Sequence, residues 1–510
     1  MNQNSRTTNV IRNMIGGVGG QIFTSILMFV CRTYFIKLLG ATYLGVNGLF
    51  SNILSMLSLA ELGIGPAIVF SMYKPIADND ELHIAKLMNF YKSAYRIVAC
   101  VVAVIGLALL PFLNHLIKDT GGVENLRLIF ILILSNTVIS YFYAYKGSML
   151  NADQKSYITV IFRNVFAVIQ NIAQIIVLIM TGNFILYLIV QIITTFLGNL
   201  IQAVYVDKKY PFLVKYKNEK IDKDERKAIM KRVQGMMMHK IGGFVLNSTD
   251  NLVLSKFVGL VAVGVYSNYL MIINLVKTYV SFFSSSISAS VGNLIAKETK
   301  EKIYEIFQIN FFIHFWIYTV CMVCFWTIFQ TFIRFWIGSD YLIDRVTLMM
   351  VLLVFYLYGV HHAVDSFTNA SGIFFETRWK PILECIINLS SSIFLAVKLG
   401  MLGVFLGSVI AYVCTAWIEW YYLYLRVFNK SVIRMIVRYV SYLAIAIISS
   451  LAIEALCGIL DTESIFMNIV IRVVISVVIS NAVIVGLFFN TKEFKFVLKY
   501  AKNIIRRRKK

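Results

Sequence analysis

The sequence predicts an all-α polytopic membrane protein with about fourteen transmembrane helices. Hydrophobic residues make up 59% of the chain, charged residues make up only 15%, and the mean hydropathy is +0.75. An ordinary soluble domain carries about 25% charged residues. Apolar runs of about 20 residues, the length that crosses a bilayer core, recur from end to end. A soluble fold could not hide this much apolar surface.

The apolar runs place the helices and the polar breaks divide them. We predict helices at 14–38, 44–70, 93–113, 126–150, 157–180, 183–206, 236–258, 261–291, 307–337, 346–371, 380–398, 401–425, 436–458 and 465–489. The longest polar segment contains KYKNEKIDKDERKAIMKR and separates two lobes of about six helices each. The predicted units are an N-terminal lobe (1–206), a cytoplasmic basic linker (207–235), a C-terminal lobe (236–430) and two extra helices with a basic tail (431–510).

The two lobes begin with similar segments. LGATYLGVNGLF covers 39–50, and VGLVAVGVYSNY covers 258–269. Both place two glycines five residues apart, Gly40 with Gly45 and Gly259 with Gly264. Glycine permits tight turns and close backbone approach, so each pair predicts a turn into the next helix. The similarity indicates an internal duplication, which is common in transporters that work by alternating access.

The formal net charge is +22, from 48 Lys and Arg against 26 Asp and Glu. Basic residues are concentrated in alternate loops, in the linker 207–235 and in the tail Arg506–Lys510. The positive-inside rule accounts for this bias and predicts a plasma-membrane protein with both termini in the cytoplasm. No nucleic-acid partner is expected, because the sequence has no zinc-ligand spacing and no exposed basic domain with interleaved aromatic residues.

Enzyme signatures are missing from the sequence. We find no G-x-S-x-G, no H-E-x-x-H and no Walker sequence, which argues against an enzyme and against an ATPase within this chain. The seven cysteines lie in or beside apolar runs and are interpreted as packing residues. No cofactor, catalytic residue or bound metal is expected.

Polar side chains recur along the predicted helices at steps of three, four, seven and eleven residues, which places each set on one face. Such faces turn away from lipid, towards the protein interior or a wet cavity. The candidate substrate-binding residues are Arg32, Lys277, Arg163, Asn247, Gln170 and Gln174. The candidate ion-coupling residues are Glu61, Asp250 and Asp365. The alternative roles are hydrogen bonds between helices for the amides and buried ion pairs for the charges.

A resemblance to a known family rests on three segments. LLGATYLGVNGLF, AELGIGPAI and NSTDNLVLSKFVGLVAVGVYSNY resemble the Wzx-type flippase (polysaccharide transporter) family of the multidrug/oligosaccharidyl-lipid/polysaccharide (MOP) exporter superfamily. The resemblance implies two lobes in a V shape around a cation-lined cavity. It also implies an undecaprenyl-pyrophosphate-linked glycan as the substrate, with Arg32 in the helix where related flippases carry cavity arginines.

The expected function is therefore translocation of a lipid-linked oligosaccharide from the inner to the outer leaflet. The expected partners are this glycan lipid, the bilayer, and glycosyltransferases or a polymerase of the same pathway. Two other functions stay open from the sequence. The acidic residues Glu61, Asp250 and Asp365 suit a cation-coupled drug exporter. The basic linker suits a membrane scaffold for a polysaccharide-assembly complex.

Overall fold

The protein is almost entirely helical. The computed structural model describes residues 3–58, 64–118, 122–231, 233 and 249–499, and no β-strand occurs in these ranges. Within them, twelve helices are long and apolar enough to cross a membrane. This confirms the predicted class, an all-α multi-pass membrane protein. The orientation of the termini stays a prediction.

The chain divides into two compact units, residues 1–264 and 265–510. The helices of the first unit are α1 (Gln3–Leu57), α2 (Ile64–Ala77), α3 (Glu81–Leu109), α4 (Leu113–Leu116), α5 (Leu126–Ala144), α6 (Gly147–Ala152), α7 (Ser156–Thr181), α8 (Phe184–Lys209) and α9 (Phe212–Lys215). Those that follow are α10 (Leu260–Lys297), α11 (Lys300–Ile337), α12 (Arg345–Ser371), α13 (Phe374–Thr377), α14 (Lys380–Leu399), α15 (Met401–Tyr422), α16 (Ile433–Ile459) and α17 (Ile465–Phe488). The finer division at 206, 235 and 430 stays a prediction.

Helix ends follow the local chemistry of the sequence. Gly182 adopts a left-handed conformation with φ of 58° and ends α7. The next residue, Asn183, caps α8 because its side chain accepts hydrogen bonds from the amides of Ile185 and Leu186. Asp344 caps α12 in the same way, accepting from the amide of Thr347. These short polar turns fix where one long helix stops and the next begins.

The difference between fourteen predicted helices and twelve candidate spans has two sources. The predicted helices 14–38 and 44–70 are joined in α1 across Gly40, whose φ of 80° and ψ of −180° are non-helical. The part of 44–70 beyond residues 59–63, which lie outside the described residues, is the start of α2. The predicted helix 236–258 lies mostly outside the described residues.

The duplicated glycine turns pack against each other within the first unit. Gly259 has a φ of 131° and, like Gly40, takes a backbone conformation that other residues rarely adopt. A Cβ on Gly45 would overlap the carbonyl group of Leu260, and a Cβ on Gly264 would overlap that of Ala41. The contacts are reciprocal. Gly45 and Gly264 are equivalent positions of the two repeats, and so are the residues that they contact, Leu260 and Ala41. This arrangement supports the internal duplication.

Close packing in the second unit also depends on small residues. Gly403 and Gly407 of α15 lie directly against the backbone of α14 at Leu395 and Ser392. Glycines spaced four apart let membrane helices approach closely. The Ser392 hydroxyl donates a hydrogen bond to the Val404 carbonyl oxygen at 3.0 Å, so this buried polar group has a partner on the neighbouring helix.

The two C-terminal helices are held to α11 by a buried arginine. Arg472 of α17 is 6% exposed and donates to the Thr327 carbonyl oxygen at 2.9 Å. The same guanidinium pairs with Glu454 at 3.0 Å and Asp461 at 2.7 Å. Breaking such a paired buried charge is costly, so this arginine fixes α16 and α17 on the second unit.

Candidate functional site

Five ionisable side chains meet inside the second unit, where α12, α14 and α15 pack together. We call His361, Asp365, Lys380, Glu384 and Glu419 the charge cluster. The Lys380 Nζ atom lies 3.3 Å from Glu384 Oε2 and 3.4 Å from Glu419 Oε2. The His361 Nε2 atom contacts the same Glu419 oxygen and lies 3.6 Å from Asp365 Oδ1. Each charged group therefore has an opposite charge or a hydrogen-bond partner.

The cluster follows from the spacing of its residues. His361 and Asp365 are four residues apart on α12, and Lys380 and Glu384 are four residues apart on α14, so each pair shares one helix face. Glu419 of α15 bridges the two pairs. A lone charge in the middle of a membrane is expensive, and mutual pairing lowers that cost.

Aromatic side chains complete the polar network around His361. The Trp420 indole nitrogen, which can only donate, lies 3.4 Å from His361 Nδ1. The Tyr412 hydroxyl lies 3.1 Å from the same nitrogen. We therefore assign Nδ1 as the acceptor, which places the imidazole proton on Nε2, facing Glu419. The Tyr358 hydroxyl donates to Glu384 at 2.5 Å.

Asp365 connects the cluster to the surface of its unit. Its side chain is 37% exposed, whereas those of His361 and Glu384 are 2% and 1% exposed. The neighbouring His362 is 56% exposed and lies 3.2 Å from Asp365 Oδ2. An ion that reaches the cluster would therefore meet Asp365 first.

Three members of the cluster have the spacing of a metal site. One ligand atom each from His361, Asp365 and Glu419 lies within 4.8 Å of the others. The Lys380 ammonium, however, already contacts the Glu419 oxygen that a metal would use. Because this internal cation already pairs with Glu419, the donor set fits a metal ion poorly unless Lys380 moves away.

The sequence identified only one residue of this cluster as a site. Asp365 was predicted to couple ions, while Lys380, Glu384 and Glu419 were missed. Glu384 and Glu419 lie within candidate spans, where a charge was the available signal, whereas Lys380 is the first residue of its span. What the sequence could not show is that α14 and α15 bring these charges to α12.

Arg32 lies in the first unit, half-buried on α1, with Tyr187 of α8 and Cys31 as electrostatic neighbours. Gln174 of α7 is 1% exposed in the same region. Its side-chain amide donates to the Tyr187 carbonyl oxygen at 3.4 Å, and the Cys31 thiol lies 4.0 Å from its carbonyl oxygen. The structure thus brings two predicted site residues, Arg32 and Gln174, to one junction of three helices.

The other predicted residues are dispersed. Gln170 is half-buried and accepts a hydrogen bond from Thr194 of α8 at 3.3 Å, and Arg163 is exposed on α7. In the second unit, the Lys277 ammonium lies 6.0 Å from the centre of the Phe355 ring. Asp250 is half-buried in a short helical segment before Gly259. Glu61 and Asn247 lie outside the described residues.

Comparisons with known proteins identify the family. The sequence profile of a family described as polysaccharide biosynthesis protein matches residues 10–291, more than half of the chain. The chain belongs to the polysaccharide biosynthesis protein family. Among curated protein sequences no relative matches. The predicted resemblance to a polysaccharide family is confirmed by this match, and solved structures of the MOP superfamily share the fold.

Solved structures share the fold of this polysaccharide biosynthesis protein. The lipid II flippase MurJ in an inward closed conformation is 16% identical with a TM-score of 0.68, covering 94% of this chain and 99% of MurJ. An inward-facing multidrug resistance MATE transporter of the MOP superfamily is 15% identical with a TM-score of 0.60, covering 79% and 94%. A MOP superfamily transporter from Pyrococcus furiosus is 16% identical with a TM-score of 0.51, covering 84% and 97%. These matches are transporters rather than enzymes, and at such identities they establish the fold alone.

Proposed function

We propose that this protein moves an undecaprenyl-pyrophosphate-linked oligosaccharide from the inner to the outer leaflet of the plasma membrane by alternating access. The family match over residues 10–291 carries the proposal, because it ties the chain to polysaccharide biosynthesis while the fold is that of transporters. A flippase for lipid II among the matching structures supports a lipid-linked substrate. The sugar repeat unit itself is left open by these observations.

The chemistry of such a substrate explains why it needs a protein. A sugar head group carries many hydroxyls and a diphosphate, and moving them through hydrocarbon without hydrogen bonds is prohibitively costly. Arginine matches phosphate oxygens with a planar fork, and lysine binds them as a point charge. Arg32 of the first unit, half-buried in a candidate span, is the cation that we assign to the diphosphate, and Lys277 of the second unit is a separate candidate for phosphate contact.

The charge cluster is the proposed coupling site. It lies within the second unit and reaches its surface at Asp365. A coupling cation that exchanges at Asp365 would change the charge beside His361 and Glu419, and so the packing of α12 against α15. Asp250 is a second candidate for coupling, and Glu61 stays a prediction from sequence.

The test is deletion of the gene for this protein in its native cell. We expect lipid-linked oligosaccharide to accumulate on the inner leaflet, where an impermeant glycosidase added to intact cells cannot reach it, and surface glycan to fall. Efflux of a cationic dye should be unchanged. Normal surface glycan in the deleted cells would overturn the proposal.

A second function, cation-coupled drug export, has one specific observation in its favour. The charge cluster is acidic overall, with three carboxylates beside one lysine, and a MATE transporter shares the fold. Retention of the dye in deleted cells, with normal surface glycan, would support this function instead. A scaffold function would be revealed if neutralising the lysines of the linker 207–235 prevented the polysaccharide-assembly complex from forming.

A further inference from the structure

A small basic cavity lies in the first unit and shares no residue with the charge cluster. Its volume is about 180 Å³, and it forms where α3 passes the ends of α5 and α8 and meets the segment after α9. Lys92 of α3, Lys146 after α5, Asp207 of α8 and Lys217 line it, together with Tyr145. We call this cavity the basic pocket.

The lining of the basic pocket has more positive than negative charge. Three lysines and one aspartate face the pocket. The aspartate, Asp207, already pairs with Lys146. Lys92 and Lys217 therefore add two positive charges that the lining does not balance. Lys92 also experiences repulsion from Arg96, one turn further along α3. An anion in the pocket would relieve this repulsion.

The walls of the basic pocket are held in place by hydrogen bonds. The Asn89 side-chain amide of α3 donates to the carbonyl oxygens of Tyr216 and Glu219, at 2.9 Å each. These two bonds fix the segment that carries Lys217 against α3. Tyr145 is 6% exposed, and burial together with the Asp207 carboxylate raises its pKa to about 12. Its hydroxyl therefore stays protonated at neutral pH and can donate to an anion.

The pocket lies at the ends of membrane spans. α5 ends at Ala144, just before Tyr145 and Lys146, and α8 ends at Lys209, two residues after Asp207. Span ends lie at the level of the lipid head groups, and basic pockets between helices at that level bind anionic head groups.

We propose that the basic pocket is a phosphate-binding site, filled by the phosphate of an anionic lipid head group or by free phosphate. A phosphate carries one or two negative charges, which matches the two excess positive charges of the lining. The proposal does not rest on the transported substrate, because no residue that lines the basic pocket is assigned to that substrate.

The experiment measures binding to the purified full-length protein after lipid removal. Native mass spectrometry counts adducts as phosphatidylglycerol or phosphatidylcholine is titrated, and calorimetry measures binding of inorganic phosphate. The test variant is the double substitution Lys92→Gln with Lys217→Gln, which leaves the Lys146–Asp207 pair intact. The matched control is Lys86→Gln with Lys208→Gln, which removes the same charge from α3 and α8 outside the cavity.

We expect the test variant to bind at least about tenfold more weakly, since it loses two charge-assisted bonds, and the control to bind within about twofold of the parent protein. Asp207→Asn, which removes the competing carboxylate, should bind more tightly. Binding of phosphatidylglycerol without inorganic phosphate would identify the lipid as the source, and the reverse would identify free phosphate. Equal weakening in the test and control variants, or no preference for phosphatidylglycerol and no phosphate binding, would overturn the proposal.

Discussion

Arg32 is the residue on which the proposed substrate contact depends most. Its guanidinium lies half-buried beside Tyr187, at the junction of α1, α7 and α8. A side chain that only held helices together would be needed for folding. One that binds diphosphate would be needed for transport alone, so substitution separates the two roles.

We predict that Arg32→Ala lowers transport about tenfold to a hundredfold, as expected for loss of a charge-assisted hydrogen bond, while the protein reaches the membrane in near-normal amounts. Arg32→Lys should keep part of the activity, because the charge survives while the planar fork is lost. Lys37→Ala, at an exposed position five residues along α1, is the matched control. Lys277→Ala should act like Arg32→Ala. Normal surface glycan in the double alanine variant would remove both cations from the mechanism.

Lys380 has a different expected role, because it stands between two buried carboxylates. Lys380→Met leaves Glu384 and Glu419 unbalanced, and we expect it to lower the free energy of unfolding by about 3–5 kcal/mol. Adding Glu384→Gln should recover part of that loss. The measurement is the unfolding transition in detergent, compared across the two single variants and the double variant. Strictly additive effects would show that the pair does not interact.

The residues of the site were only partly predictable from sequence. Asp365 was predictable because a carboxylate inside an apolar run is costly in a membrane and therefore indicates a functional role. Glu384 and Glu419 had the same signal, but their partners come from other helices, and no local spacing reveals which helices pack together. Gln174 shows the opposite limit, since helical periodicity placed it on a polar face but could not show that this face packs against α8.

At the scale of helices, the paired glycine turns are the feature with the sharpest consequence. Gly45 lies against the Leu260 carbonyl group with no room for a side chain. Gly48, one turn further along α1, would place a Cβ 3.6 Å from a methyl group of Val263, which is an ordinary contact. The two positions therefore form a matched pair.

We predict that Gly45→Ala destabilises the protein by about 1–3 kcal/mol, because backbone atoms must move to make room, whereas Gly48→Ala is nearly neutral. Gly264→Ala should resemble Gly45→Ala, since its Cβ would overlap the Ala41 carbonyl group. Thermal unfolding of the purified variants is the measurement. Equal stability of the Gly45 and Gly48 variants would contradict the close packing of the repeated turns.

Helix positions were the most predictable part of the fold. The predicted ranges 157–180, 183–206 and 346–371 match α7, α8 and α12 to within three residues at every end, because apolar runs end abruptly at Gly, Asn and Asp. The predicted range 93–113 begins later than α3, which starts at Glu81, because its first turns carry lysines that lie beyond the apolar run. The predicted range 44–70 covers the end of α1, the residues 59–63 that the structure does not describe, and the first residues of α2.

For the whole molecule, orientation in the membrane is the first prediction. The basic linker predicts that Asn218 faces the cytoplasm, and the alternation of spans predicts that Asp119 faces outwards. Single cysteines at these positions, in a background from which the seven native cysteines are removed, can be labelled with a membrane-impermeant thiol reagent in intact cells. Labelling is expected at 119 and not at 218. The reverse pattern would invert the proposed direction of transport.

The central claim is that the chain itself translocates a lipid-linked oligosaccharide. The most direct measurement reconstitutes the purified protein into vesicles that hold undecaprenyl-pyrophosphate-linked oligosaccharide in the inner leaflet, and follows its exposure to a glycosidase outside. We predict that an imposed ion gradient or membrane potential, without ATP, brings the glycan lipid to the outer leaflet, and that vesicles with the Arg32→Ala protein do so at least about tenfold more slowly. Equal exposure in protein-free vesicles, or exposure that requires ATP with the purified protein alone, would contradict the claim.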